Sequence, residues 1–349
     1  MSAMPAISRI DPADTSTVRA FVGAQLASLA VDDPTSPPWS ARVLKLRVTL
    51  GPPVRGPVEL WRTPGDVPGG VAGGYCLQLP DLDNLDSARL DLFVLPAARR
   101  QGLGTALLRH AAERVAASGR SRLDGSVIEG SAGEAFARGA GATIGLAELR
   151  RVLDVARVPA GHAARCQDGA AAAAAGYSLV SWLGRTPEEY LKGVVAMENA
   201  MNDAPSMPGA EPEIWTEQRV RDRKDGWIEA VGARPYQVAA ICDATGEMVA
   251  LSELGVFPDA PDWGFQSNTV VARPHRGHRL GLLVKAAMLG WLAEAEPRVR
   301  WIVTYNAMSN SHMIAINTAL GYQAADTWPF WKLPVKSALT LPGARAISG

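Results

Sequence analysis

The chain has 349 residues, enough for two domains that each bury a core. Its 35 Lys and Arg balance 35 Asp and Glu, which argues against nucleic acid or an anionic membrane as the main partner and makes a small molecule the first expectation. The three cysteines, Cys76, Cys166 and Cys242, are too scattered for a disulfide framework or a zinc site, and the histidines have no ligand spacing, so no metal is expected. The opening residues lack the apolar stretch of a secretion signal. No segment has the length and apolarity of a membrane span, so the expected location is the cytoplasm, without membrane association.

In chain order, Ile7–Ile10 reads as a short strand and Asp14–Ala30 as an amphipathic helix. Val58–Trp61 and Gly70–Leu77 read as a strand pair. Leu90–Val94 is an apolar strand, followed by the basic, glycine-bearing turn Arg99-Arg-Gln-Gly-Leu-Gly104 and a helix from Thr105 to Ser118. Gly119 is a suitable residue to end that helix. A strand at Arg122–Ile128 and a helix at Glu134–Arg138 complete the first half. Arg157–Ala175, with Pro159, Gly161, Gly169 and an alanine run, reads as a linker because its small residues have little to pack with.

The order then repeats. Ser178–Trp182 is a strand, and Pro187–Met201 is a helix with Thr186 as its expected cap. Gln237–Cys242 and Glu247–Leu254 form a hairpin, and Asn268–Val271 is a strand. The turn Arg276-Gly-His-Arg-Leu-Gly281 leads into a helix over Leu282–Glu294. Trp301–Asn306 is a strand, and His312–Ala319 is a helix ending at Leu320-Gly-Tyr322. Gly104 and Gly281 stand 177 residues apart, so the chain holds one device twice. The expected fold class is α+β, each half a mixed, mostly antiparallel sheet with one parallel crossover after the turn. The expected boundaries are 1–156, a linker at 157–175, and 176–340.

A strand that turns into a helix through glycines leaves backbone N–H groups free at the helix start, which suits a diphosphate. Arg99-x-x-Gly-x-Gly104, preceded by Val94-Leu-Pro96, resembles the phosphate loop of the GCN5-related N-acetyltransferase (GNAT) superfamily, and the resemblance extends over nearly the whole chain. It implies two tandem acyl-CoA N-acyltransferase domains and acetyl-CoA as co-substrate. In the first half it points to Leu92, Phe93, Val94, Arg99, Arg100, Gln101, Gly102, Leu103, Gly104 and Thr105, with Arg99 shaping the loop and facing phosphate. In the second it points to Val270, Val271, Arg276, Gly277, His278, Arg279 and Gly281, and to Asn306 and Asn310 along the pantetheine arm. Arg279 stands where the first loop has Gly102, so the second site is either altered but working or closed by that side chain.

The resemblance also implies direct attack of an amine on the thioester, with an N–H near Val94 or Val271 facing the oxyanion. Glu253 lies where this superfamily often keeps its base, and Cys76 holds the equivalent place in the first half. The tyrosine that many relatives carry four residues before the last glycine is replaced by Ala137 and Asn317. Tyr305 and Tyr322 are the nearby phenols. Tyr322 is the candidate acid, with core packing as its competing role. Asp81, Asp83, Asp86 and Asp91, and later Asp259 and Asp262, make acidic rims that would draw a cationic amine, or are solvated turns. The expected protein is thus an N-acetyltransferase for a small amine metabolite of secondary, antibiotic-type metabolism, a monomer or weak homodimer. A non-catalytic acyl-CoA sensor with one degenerate half stays open beside it.

Overall fold

The computed structural model describes residues 6–34, 36–37, 40–50 and 56–342. Residues 1–5, where a secretion signal would begin, lie outside them. The chain divides into two compact units, and neither is contiguous in sequence.

The first unit comprises residues 1–147, 207–211 and 328–349. It starts with β1 (Ser8–Arg9), α1 (Thr15–Asp32) and α2 (Ala41–Leu50). Asp14 caps α1, its carboxylate accepting the Ser16 and Thr17 amides at 3.1 Å each. Strands β2 (Val58–Pro64), β3 (Val71–Gln78) and β4 (Ser87–Val94) follow, all antiparallel. Helix α3 (Leu103–Ala117) carries the chain over to β5 (Arg122–Ser126), parallel to β4, and α4 (Ala132–Gly139) leads into β6 (Thr143–Asp154). The apolar stripe of α3, including Leu107, Ala111 and Val115, packs with Tyr75 and Leu77 on one face of the sheet. On the other face Phe21, Leu60 and Phe93 pack together.

The second unit comprises residues 148–206 and 212–327. After β6 come α5 (His162–Ala171), β7 (Tyr177–Leu183) and α6 (Glu188–Ala200). The short α7 (Glu217–Arg219) runs through a π-helical turn at Val220–Asp225 into α8 (Gly226–Val231). Strands β8 (Arg234–Cys242), β9 (Met248–Val256) and β10 (Trp263–Val271) are antiparallel. Helix α9 (Leu280–Ala295) crosses to β11 (Trp301–Ala307), parallel to β10, and α10 (Ser311–Ala319) leads to β12 (Gln323–Pro334) and α11 (Val335–Leu339).

The two halves exchange their last strands. Glu148–Asp154 of β6 pairs antiparallel with β11 in the second unit. Phe330–Pro334 of β12 pairs antiparallel with β5 in the first, where Leu333, Val335 and Ala338 join the core. The boundaries 1–156 and 176–340 therefore do not describe the units. A strand contributed by the other half satisfies the same edge as a local one, and sequence pattern does not tell them apart. The segment 157–175 is not a free connector either. Helix α5 lies within it, and Ala170 and Ala174 are buried in the second unit's core, because alanines let a helix approach its neighbour closely. Thr186, expected to cap α6, instead gives its hydroxyl to Asp225 at 3.1 Å, and Pro187 takes the cap position.

Deleting the chain from Trp328 onward is expected to unfold the N-terminal unit, although the deletion lies at the other end of the sequence. Leu333 and Val335 alone bury side chains worth roughly 1.5–3 kcal/mol each. Protease digestion of the truncated chain, mapped by mass spectrometry, checks this: cuts should concentrate between β2 and β5.

Candidate active site

The two strand-to-helix turns share one construction. At the N-cap of each crossover helix a residue adopts the left-handed conformation, Gly102 at φ 82° before α3 and Arg279 at φ 56° before α9. The first-turn amides of each helix, Leu103 to Thr105 and Leu280 to Leu282, have no intrahelical acceptor and point out of the helix start. Gly104 and Gly281 serve packing. A Cβ on Gly104 would stand 3.3 Å from the Phe136 ring on α4, and one on Gly281 would stand 3.1 Å from Ile316 on α10.

The leading arginines are committed to the protein itself. Arg99 donates through Nε to the Val94 carbonyl at 2.9 Å and forks onto the Asp32 carboxylate at 2.8 and 2.6 Å. Arg276 repeats this with the Val271 carbonyl at 3.1 Å and Asp203 at 2.8 Å. The expected phosphate-facing role of Arg99 thus gives way to a structural one: the guanidinium ties the end of β4 to the last residue of α1. Arg279 does not fill its own turn. Its guanidinium donates to the Gly169 carbonyl on α5 at 3.1 Å, near that helix's C-terminus. Tyr177 braces the second loop from β7, its hydroxyl 3.0 Å from His275 Nδ1 and its ring 5.3 Å from that of His278.

Beyond each turn the sheet opens. The β4–β5 ladder spans only Ser87–Arg89 with Arg122–Asp124, and the β10–β11 ladder only Trp263–Phe265 with Trp301–Val303. Leu92, Phe93 and Val94, and Val270 and Val271, lie past these ladders on strands that have parted from their parallel neighbours.

The units differ at the centre of this opening. Strand β4 pairs with β3 without interruption. Strand β10 carries a bulge against β9, its register shifting between Gln266 and Thr269. The bulge is pinned to Glu253, whose carbonyl accepts from the Gln266 amide at 2.5 Å and the Ser267 hydroxyl at 3.3 Å. The Glu253 carboxylate lies 2.5 Å from Lys224 in the π turn, and Lys224 also pairs with Glu198 on α6. Asn268, in the bulge, donates to the other Glu198 oxygen at 3.2 Å. Burial pushes the Glu253 carboxyl up to about 6 against the pull of Lys224, with Glu198 adding to the rise. Although burial disfavours its charge, Lys224 is held protonated well above the usual lysine range by Glu253 and Glu198.

In the first unit Cys76 takes the place of Glu253, and burial, with Asp91, pushes its thiol up to about 12. Asp91 is ion-paired with Arg47 at 3.0 Å and Arg89 at 3.6 Å. Of the other acidic-rim residues, Asp86 pairs with Arg122 at 3.1 Å and Asp262 with Arg298 at 3.6 Å. Glu198, Lys224 and Asn268 were not legible as functional residues: they come from three separate elements, and the only local sign is the run of charges around Lys224.

Asn310 caps α10, accepting the Met313 amide at 3.1 Å. Asn306 accepts from Asn317 at 2.6 Å, and the Asn317 carbonyl oxygen is buried with no partner. Tyr322 belongs to the core, 1% exposed, with its hydroxyl unpartnered. Lys285 on α9 lies 5.3 Å from the Tyr322 ring. Among the described residues Lys285 makes no hydrogen bond or ion pair, and burial brings its ammonium down to about 7. No helix among the described residues is long and apolar enough to cross a membrane.

A family model described as the acetyltransferase (GNAT) family matches residues 59–129. No curated protein matches the sequence. Among solved structures, the chain is similar to a tandem GNAT protein from the clavulanic acid biosynthesis pathway, described without AcCoA. The two are 31% identical with a TM-score of 0.78, covering 95% of this chain and 98% of that one. It shares its fold with a GCN5-related N-acetyltransferase from Sphaerobacter thermophilus at 15% identity and TM-score 0.67, covering 96% and 97%. The same holds for the glucosamine N-acetyltransferase region of a fungal multi-domain GH3 β-N-acetylglucosaminidase at 15% identity and TM-score 0.66, covering 95% and 38%.

Lys285→Met is expected to stabilise the second unit in a pH-dependent way. The folded-state value lies below the unfolded one, so between about 7 and the ordinary lysine range the unfolded chain binds the extra proton. Stability therefore falls by ~1.4 kcal/mol per pH unit as pH drops through that window and levels off below it. Urea denaturation at stepped pH should show this slope in the wild type and its loss in the variant.

Proposed function

Because the chain belongs to the GNAT family, we propose that it is an acetyl-CoA-dependent N-acetyltransferase acting on a small amine metabolite of secondary, antibiotic-type metabolism. The observation that carries this reading is the pair of strand-to-helix turns whose first-turn amides face out beside a parted sheet. The residues fit the group: Gly102 supplies the left-handed corner, and the amides of Leu103, Gly104 and Thr105 suit a diphosphate. With Arg99 and Arg276 spent on Asp32 and Asp203, the grip falls to the main chain, helped by Arg100 in the first loop and by Gly277 and His278 in the second. When bound, acetyl-CoA supplies an activated acyl thioester.

We assign the chemistry to the second unit. A carboxylate near 6 can take the proton of an amine on its way to attack, and the bulge beside it frees main-chain groups toward the parted strands. The first unit, with a protonated Cys76 and a regular β4, binds acyl-CoA without a base of its own. Tyr322 serves the core, and the leaving thiolate is tolerable unaided at a pKa of about 8.5.

Native mass spectrometry with acetyl-CoA counts the working loops. Gly102→Val and Gly277→Val each place a β-branched residue at a left-handed position, φ 82° and 92°, and each should remove one bound molecule. With a panel of primary amines, Glu253→Gln should lower turnover by ~10²–10⁴-fold while leaving acetyl-CoA binding unchanged. Binding without product from any amine would replace this reading with the sensor.

A further inference from the structure

We propose that Lys224 and Glu198 are positioning residues for Glu253: one buried ammonium, shared between two carboxylates, fixes the base beside the β10 bulge and leaves a net negative charge that selects an acceptor arriving as an ammonium. The proposal rests on the reading of Glu253 as the base. It stands on four contacts that bring four elements to one point. Lys224 from the π turn reaches Glu253 on β9 at 2.5 Å and also Glu198 on α6, Asn268 in the bulge reaches Glu198 at 3.2 Å, and Gln266 holds the Glu253 carbonyl at 2.5 Å.

The charge balance gives the cluster its function. Two carboxylates and one ammonium, all largely buried, sum to minus one. Burying an uncompensated charge is costly, so the site relaxes in one of two ways: it binds a proton or it binds a cation. The proton goes to Glu253. Asp225, the remaining carboxylate near it, is held by Arg221 at 2.9 Å and by the Thr186 amide and hydroxyl. The neighbour of Glu253 on β8, Gln237, is uncharged. An acceptor ammonium would complete the neutralisation and hand its proton to Glu253, becoming the free amine that acylation needs. Lys224 is set on a π-helical turn, a backbone form that recurs at functional sites.

The test reads Glu253 without requiring transfer. In protein labelled with ¹³C at the glutamate carboxyls, the Glu253 resonance is assigned by its disappearance in Glu253→Gln and followed against pH. It should titrate above the usual carboxylate range. Glu198→Gln removes the like charge and should lower the midpoint by about one pH unit, Lys224→Met should raise it by as much or more, and Lys224→Arg, which keeps the cation, should restore it. If Lys224→Met does not fold, the Glu198→Gln and Lys224→Arg pair decides. A Glu253 midpoint that stays put in Glu198→Gln overturns the proposal even if the enzyme acetylates amines. Shifted midpoints with no acetylation of any amine would instead keep the cluster and reject the function. For selection, n-butylammonium should displace the midpoint downward while the equally long n-butanol should not; equal effects reject the cation site.

Discussion

Both units depend on turning a strand into a helix while leaving the helix's first amides unpaired. Such a corner needs a left-handed residue and something to stop the strand end from collapsing onto the open amides. The protein meets the second need with an arginine in each half, anchored at once to the last strand carbonyl and to a distant carboxylate, Asp32 at the end of α1 and Asp203 just past α6. The arginine holds the end of a strand that has already left its parallel neighbour, β4 after Arg89 and β10 after Phe265, beside the place where a thioester would lie.

The corner's other requirement is met differently in the two halves. Glycine takes the left-handed conformation at no steric cost, whereas arginine at the same place is strained. Arg279 is held there by its bond to α5, the helix that the sequence presents as a tether. The second unit thus supports its corner with an added helix, and the same unit carries the bulge and the buried carboxylates. The first has the better loop and an inert thiol where the base would be.

Local signals carried the turns into view. Glycines, a basic lead-in and an apolar strand are contiguous, so Arg99–Gly104 and Arg276–Gly281 stand out in the sequence. The hairpin at Asp243 is equally local, whereas the sequence pattern places Asp14 inside the first helix rather than at its cap. Long-range features were hidden. The carboxylates that claim Arg99 and Arg276 lie some 70 residues earlier, so a phosphate-facing reading of Arg99 was natural. The helical stretch Glu217–Val231 lacks a clean apolar stripe, and its Lys224 finds its partners only through the fold. The exchange of β6 and β12 left no trace, since either strand offers the same alternation to either edge.

That exchange ties the order of synthesis to the order of completion. The half made first by the ribosome lacks its final strand until β12 has emerged, so its core waits open through translation of everything between. The two halves cannot be parted by cutting the gene at the middle, because the strand that closes each core is encoded on the other side of the cut.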